Sequence, residues 1–131
     1  MYDSYKDKAH FVLVYIREAH PEDGWKMPGN DKADIHINQP TTLGERNKVA
    51  HLCTTALSIT MPAVVDDIKD STEIAYGGWP ERMFVLDPDG KILYRGAKGP
   101  MGFHADEAEK ALRKALGMPE DGGVAGGGKG R

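Results

Sequence analysis

The sequence predicts an α/β domain, and three observations carry that prediction. Apolar runs of strand length alternate with segments whose apolar residues recur every three or four positions. Pro88-Asp-Gly90 separates two short apolar runs in the manner of a hairpin turn. The chain has 131 residues, 40% hydrophobic and 28% charged, which is enough for one core and too little to expect a second.

Taken in order, the first element is Phe11-Val-Leu-Val-Tyr-Ile16, which lacks clean alternation and reads as a strand near 11–17 covered on both faces. Pro21 and Gly24 stop regular structure just after it, so Glu18 and His20 fall beyond the carboxyl end of a strand, where open α/β sheets place ligands. Residues 45–57 put Val49, Leu52, Cys53, Ala56 and Leu57 on one helical stripe, and Thr42 with Glu45 makes a capping-box signature that starts this helix near Leu43. Ala63-Val-Val-Asp66, after Pro62, is a short strand. Met83–Asp87 and Lys91–Arg95 flank the turn as antiparallel neighbours. Ala105–Leu116 is the last helix, with Ala108, Ala111, Leu112, Ala115 and Leu116 inward and Gly117 and Pro119 ending it. Residues 1–119 form the domain, and the Gly-rich stretch 120–131 is a flexible tail that cannot build a core. This order looks like the later part of a thioredoxin-like sheet flanked by helices.

Charge and composition exclude several classes. Seventeen Lys and Arg against 20 Asp and Glu give a net charge of -3, which argues against a nucleic-acid surface. No apolar run approaches the roughly 20 residues that cross a bilayer, and the first residues lack the apolar run of a signal peptide. The expectation is a cytoplasmic protein with no membrane partner in the present chain. Cys53 is the single cysteine, so an internal disulfide or a CxxC pair is excluded while an intermolecular disulfide stays open. On the apolar stripe it reads as a small buried hydrophobe, the alternative being a redox thiol. His10, His20, His36, His51 and His104 do not recur with Cys or carboxylates in a metal motif, and no cofactor is expected. Asp66, Asp67, Asp70 and Glu73 read as an exposed acidic face rather than a cation site. Gly96, Gly99 and Gly102 lack the Gly-Lys-Ser/Thr of a phosphate loop and read as a flexible rim before the last helix.

Four blocks sharpen the reading: Val14–Trp25, Gln39–Arg46, Ala75–Arg82 and Tyr94–Phe103. In that order and with their glycines, prolines and tryptophans, they resemble the iodothyronine deiodinase family, including its bacterial deiodinase-like members. The resemblance implies a thioredoxin-like fold and a deiodinase-like or thiol-dependent oxidoreductase acting on a small aromatic or thiol substrate. It places Glu18 and His20 beside the reactive centre, for proton handling and for binding an iodinated phenol. A histidine exchanges protons near neutrality and a carboxylate can orient the ring; both side chains share one side if the backbone stays extended from 18 to 20. The local alternative is that His20 caps backbone groups in the loop and Glu18 is a solvated strand end.

Trp25, shaped by Asp23 and Gly24, is read as a cover over the pocket edge or as a hydrophobic anchor, and Lys98 as a cation over the site. The thioredoxin-like resemblance implies a cis bond between Trp79 and Pro80, facing the redox loop, the local alternative being a trans proline that starts the strand; Arg82 then fixes that loop through Glu or Asp partners or lies solvated. Two positions depart from the vertebrate enzymes: Pro40 stands where a second active-site His is expected, and Lys98 where an Arg would offer a planar fork.

The resemblance also implies that a strand, a loop carrying a reactive selenocysteine or cysteine, and a helix precede the matched segment, with residues 3–8 as the last turn of that helix. The expectation is therefore a sheet that is incomplete or rearranged, and a domain inactive alone. A missing central strand leaves edge groups whose burial without partners costs about 1–3 kcal/mol each. The residues 11–16 strand must then close against 83–87, pair with a second copy, or accept a strand from a partner. A homo-oligomer or strand-donating partner is expected over a compact monomer, the other reading being a noncatalytic binding or structural module that self-associates through exposed strands.

Overall fold

A computed structural model of the chain describes residues 1–26, 28 and 36–120; the tail assigned to 120–131 lies, from 121 onward, outside the described residues. The chain divides into two compact units, Tyr2–Pro80 and Met1 with Glu81–Arg131.

In the unit Tyr2–Pro80, the short helix α1 (Tyr2–Tyr5) occupies the turn read at residues 3–8 and buries Tyr5. Strand β1 (Leu13–Tyr15) runs parallel to β2 (Ala63–Val65), pairing Leu13 with Ala63, Val14 with Val64 and Tyr15 with Val65. Between them lies α2 (Leu43–Ala56), which packs against β2. Its start follows the sequence signature: Glu45 N–H donates to the Thr42 side chain while the Glu45 carboxylate accepts from Thr42 N–H.

The buried stripe of α2 differs from the predicted one. Ala50 and Arg46 are buried and Val49 and Cys53 half-buried, whereas Leu52, Ala56 and Leu57 are exposed. Arg46 was missed because a charge is not counted as core; here its guanidinium is neutralised by Asp70 and turns the helix so that Leu52 lies roughly a third of a turn off the buried line.

One helix described in this unit was not predicted. Helix α3 (Ser71–Tyr76) follows β2, and the acidic run read as an exposed face organises it. Asp66 and Glu73 are buried and Asp70 half-buried. Asp66 accepts N–H bonds from Asp67, Thr72 and Glu73 at 2.8–3.0 Å. The Thr72 and Glu73 N–H groups are orphan donors of the helix start, and a carboxylate is their natural acceptor. At the other end Gly77, with φ +60°, closes α3 through Gly77 N–H to Ile74 O and Gly78 N–H to Glu73 O.

In the other unit, β3 (Phe84–Leu86) pairs antiparallel with β4 (Ile92–Arg95), as the Pro88–Gly90 turn predicts. Gly90 takes φ +84°, and the Asp87 carboxylate accepts from Asp89 and Lys91 N–H. The register shifts between Val85 and Leu86, as at a bulge. Helix α4 (Ala105–Ala115) packs on both strands through buried Ala108 and Leu112, with Ala111 and Leu116 half-buried. Ala115 is exposed against expectation, and Arg113 is buried in its place because its Nε donates to Pro119 O at 2.6 Å.

Two further expectations are corrected. Among the described residues the strands form two two-stranded sheets rather than one. Strand β1 is not covered on both faces: Val14 is 36% exposed and Val12, just before the strand, 59% exposed, so the face these two share stays partly open.

Candidate active site

The polypeptide leaves β1 at Tyr15 and bends at Arg17 and at Ala19–His20, so the extended path that would have put Glu18 and His20 on one side is not followed. Glu18 is held at three points. The Tyr15 hydroxyl donates to its carboxylate, its N–H donates to Gln39 Oε1 at 2.9 Å, and Gln39 Nε2 donates to its carbonyl at 3.2 Å. Burial, and then the hydrogen bond to Glu18, push the Tyr15 phenol above the ordinary tyrosine range, so it stays a donor.

His20 sits with Nδ1 3.0 Å from Trp25 O. A carbonyl only accepts, so Nδ1 carries the proton and Nε2 is the basic nitrogen of the neutral ring. The same contact caps a loop carbonyl, as the local alternative expected. The Trp25 ring meets the imidazole edge-on at 4.7 Å and is itself 72% exposed, which excludes a role as a buried anchor. Around them the loop is tied to residues 36–39: Glu22 N–H donates to Ile37 O, Gln39 N–H to Asp23 Oδ1 at 2.8 Å, and His36 faces the Glu22 carboxylate at 3.0 Å. Pro40, next to Gln39, is buried.

The Trp79–Pro80 bond is cis, as expected. Trp79 lies under the Arg17 guanidinium, 5.2 Å from the ring centroid, and Arg17 Nε pairs with buried Glu73 at 2.8 Å. Glu18, His20, Trp25 and Pro80 therefore belong to one unit, with Arg17 joining the end of β1 to the segment before Pro80. Lys98 belongs to the other unit and is exposed after β4. There Arg82 Nε donates to Gly96 O at 2.6 Å. The loop from 96 to 103 is wound tightly instead of loosely: Gly99 N–H donates to Glu81 O and Gly102 N–H to Lys98 O, and a Cβ at Gly102 would lie 2.6 Å from that carbonyl.

Cys53 is a half-buried free thiol. Burial pushes it up, and the negative charge of Glu18 adds to the shift, so at neutral pH it is a thiol and a poor nucleophile. Among the described residues no group of three His, Cys, Asp or Glu is arranged to hold a metal, and no helix is long and apolar enough to cross a membrane. A cleft of about 190 Å³ between α2 and the β1–β2 pair is lined by Tyr15, Asn47, Ala50, His51 and Thr54. It is smaller than the ~300 Å³ at which ligand pockets begin.

Sequence reasoning did not find Tyr15, Gln39 or Arg17. Tyr15 was counted as a strand residue, and no local spacing links Gln39 to a glutamate 21 positions away. Gln39 does lie at the head of one of the four blocks quoted above.

The iodothyronine deiodinase family model matches residues 1–116. The chain belongs to the iodothyronine deiodinase family. It is 32% identical over 114 residues to a type II iodothyronine deiodinase of Rattus norvegicus, covering 86% of this chain and 42% of that protein. A type II enzyme of Aquarana catesbeiana is 34% identical over 128 residues, 96% of this chain and 47% of its own length. A thyroxine 5-deiodinase of Sparus aurata is 34% identical over 110 residues, 84% of this chain and 39% of its own. The chain thus spans less than half the length of these deiodinases, and the match includes the loop that carries Glu18 and His20.

Proposed function

We propose that this chain is the deiodinase-like part of a thiol-dependent oxidoreductase with thioredoxin-like architecture, in which Glu18 and His20 handle protons beside a reactive chalcogen supplied from outside these 131 residues. The observation that carries the reading is the fixing of Glu18 by Tyr15 and Gln39 just past the end of β1 in a deiodinase-family chain. The parallel β1–β2 pair and the antiparallel β3–β4 hairpin support the architecture.

In reductive deiodination the carbon–iodine bond of an iodinated phenol breaks and a carbon–hydrogen bond forms. Iodide leaves, two thiols supply two electrons and end as a disulfide, and a proton must reach the carbon. His20 Nε2 and the Glu18 carboxyl are the proton-handling groups of this chain, general acid–base steps being worth about 10²–10⁴ in rate. Trp25, Pro80 and Lys98 are the substrate-contacting residues of the proposal. Because Pro40 cannot relay a proton and Lys98 lacks a planar fork, the substrate is a small aromatic or thiol compound rather than necessarily a thyroid hormone.

Cys53, kept as a thiol, does not replace the missing chalcogen, so the chain is inactive alone. The test is reduction of an iodinated phenol with a dithiol present. No iodide release by the chain, release once a Cys- or Sec-bearing N-terminal segment is joined to it, and a loss of about 100-fold or more on Glu18→Gln or His20→Ala are the expected results. Release by the chain alone that survives both substitutions would sink the reading.

The edge of β1 that is unpaired among the described residues, and the exposure of Val12, Val14 and Val64, favour a second reading, a noncatalytic module that self-associates strand to strand. Light scattering at low micromolar concentration should then give a dimer mass. A monomer would remove self-association from consideration.

A further inference from the structure

We propose that Gln39 is a positioning residue for Glu18, a deeper claim that rests on the reading of Glu18 as a working carboxylate. Its carboxamide meets one residue at both backbone groups, accepting from Glu18 N–H at 2.9 Å and donating to Glu18 O at 3.2 Å. An amide that accepts from the N–H and donates to the C=O of the same residue supplies what a neighbouring strand would supply. It does so three residues beyond Tyr15, the last paired residue of β1, where the backbone has left its ladder.

The support for Gln39 comes from the loop it holds. Its own N–H donates to Asp23 Oδ1 at 2.8 Å, and Glu22 N–H donates to Ile37 O at 2.8 Å beside it. Residues 37–39 and 18–23 therefore brace each other, and Gln39 passes that brace to the Glu18 peptide. Glu18 and Gln39 are both half-buried, where water competes less for these bonds. With the peptide fixed, the carboxylate has a defined root and meets the Tyr15 hydroxyl. Without Gln39, the Tyr15 contact alone would orient it.

The chemistry predicts which replacements fail. Methionine keeps the length and bulk of glutamine and loses both bonds. Glutamate keeps an acceptor for Glu18 N–H and loses the donor to Glu18 O.

The test uses the full chain, labelled with ¹⁵N and with ¹³C in the tyrosine rings, and reads amide exchange and the Tyr15 ring carbon bearing the hydroxyl. In Gln39→Met, Glu18 N–H should exchange about tenfold faster, the factor that goes with hydrogen bonds of ordinary net strength, while α2 amides keep their protection. The Tyr15 signal should move toward its position in Glu18→Gln. In Gln39→Glu the Glu18 amide should regain most of its protection. Wild-type exchange at Glu18 with an unmoved Tyr15 signal in Gln39→Met overturns the proposal. Equal loss of protection throughout α2 also overturns it, since Gln39 would then serve the fold and not Glu18. Should Gln39→Met not fold, Gln39→Ala takes its place, and wild-type exchange at Glu18 with an unmoved Tyr15 signal there overturns it as well. None of these readings involves turnover, so an unaffected Glu18→Gln in the iodide assay counts against the catalytic reading and leaves the positioning result standing.

Discussion

The two units of the chain are held together by different means. Among the described residues of Tyr2–Pro80 the buried apolar ones are Tyr5, Pro21, Pro40 and Ala50, and charged Arg46, Asp66 and Glu73 are buried as well. Arg46 is 2% exposed, pairs with Asp70 at 2.7 Å and donates to Asp67 O at 2.5 Å; Glu73 pairs with Arg17, and Asp66 holds the start of α3. In the unit from Glu81 onward the work is done by a hairpin with a helix laid over it, Ala108 and Leu112 filling the contact. A framework of directional polar pairs fixes side chains at the ends of β1 and β2, where the Glu18 loop begins. It is also less forgiving, because removing one partner strands the other away from water.

The largest expected effect tests that contrast directly. Both tryptophans of the sequence, Trp25 and Trp79, lie in Tyr2–Pro80, so their emission reports on that unit. Arg46→Ala leaves Asp70 and the Asp67 carbonyl without their buried cation, a loss of about 3–5 kcal/mol. Leu112→Ala in α4 should cost about 2–3 kcal/mol, the lower part of the usual range since Leu112 keeps 8% exposure. In urea, Arg46→Ala should move the tryptophan transition to lower denaturant more than Leu112→Ala does. The opposite order would mean that the polar framework adds little to holding the first unit.

The same contrast explains what could be read from the sequence. The hairpin, α4 and the start of α2 are specified by neighbours in the chain: Pro88–Gly90, an apolar repeat ended by Gly117, and Thr42 with Glu45. Helix α3 and the core face of α2 are specified by pairs such as Arg46 with Asp70, 24 positions apart, and hydrophobic periodicity assigns such charges to the surface. The candidate site divides similarly. Glu18 and His20 were legible from their place after a strand, whereas the Tyr15 and Gln39 contacts exist only once the loop has folded back on residues 36–39.

Acid should separate the units next. Burial pushes the Asp66 carboxyl up, but the N–H bonds from Glu73, Thr72 and Asp67 outweigh it and hold the group below the usual aspartate range. A carboxyl with a lowered folded-state value contributes stability that is complete above its unfolded value, about 4, and is lost as pH falls through the folded value. Tryptophan emission should therefore show a stability plateau above about pH 5 and a decline below about pH 4. Asp66→Asn should lower the plateau and flatten the decline. An unchanged slope in Asp66→Asn would show that other carboxylates carry the acid sensitivity of this unit.

The smallest effect is a gain, and it turns on how three helices end. Helices α3 and α4 each place glycine in the left-handed position, Gly77 at φ +60° and Gly117 at φ +67°, and each is closed by a paired set of N–H bonds to the last turn. Helix α2 ends with the same bonds, Ser58 N–H to Thr55 O and Ile59 N–H to Thr54 O, but with Ser58 at φ +51°. A left-handed backbone costs a residue with a Cβ roughly 1–2 kcal/mol, and glycine gives back part of that relief through the greater freedom of its unfolded chain. Ser58→Gly should thus stabilise Tyr2–Pro80 by about 0.5–1 kcal/mol, read as a later tryptophan transition in urea with unchanged slope. Gly117→Ser provides the mirror experiment in the other unit, and should weaken α4 by a similar amount in helical circular dichroism. If Ser58→Gly were neutral while Gly117→Ser destabilised, the serine hydroxyl would have to offset the backbone cost at the end of α2, and the two helix ends would differ in chemistry as the two units do.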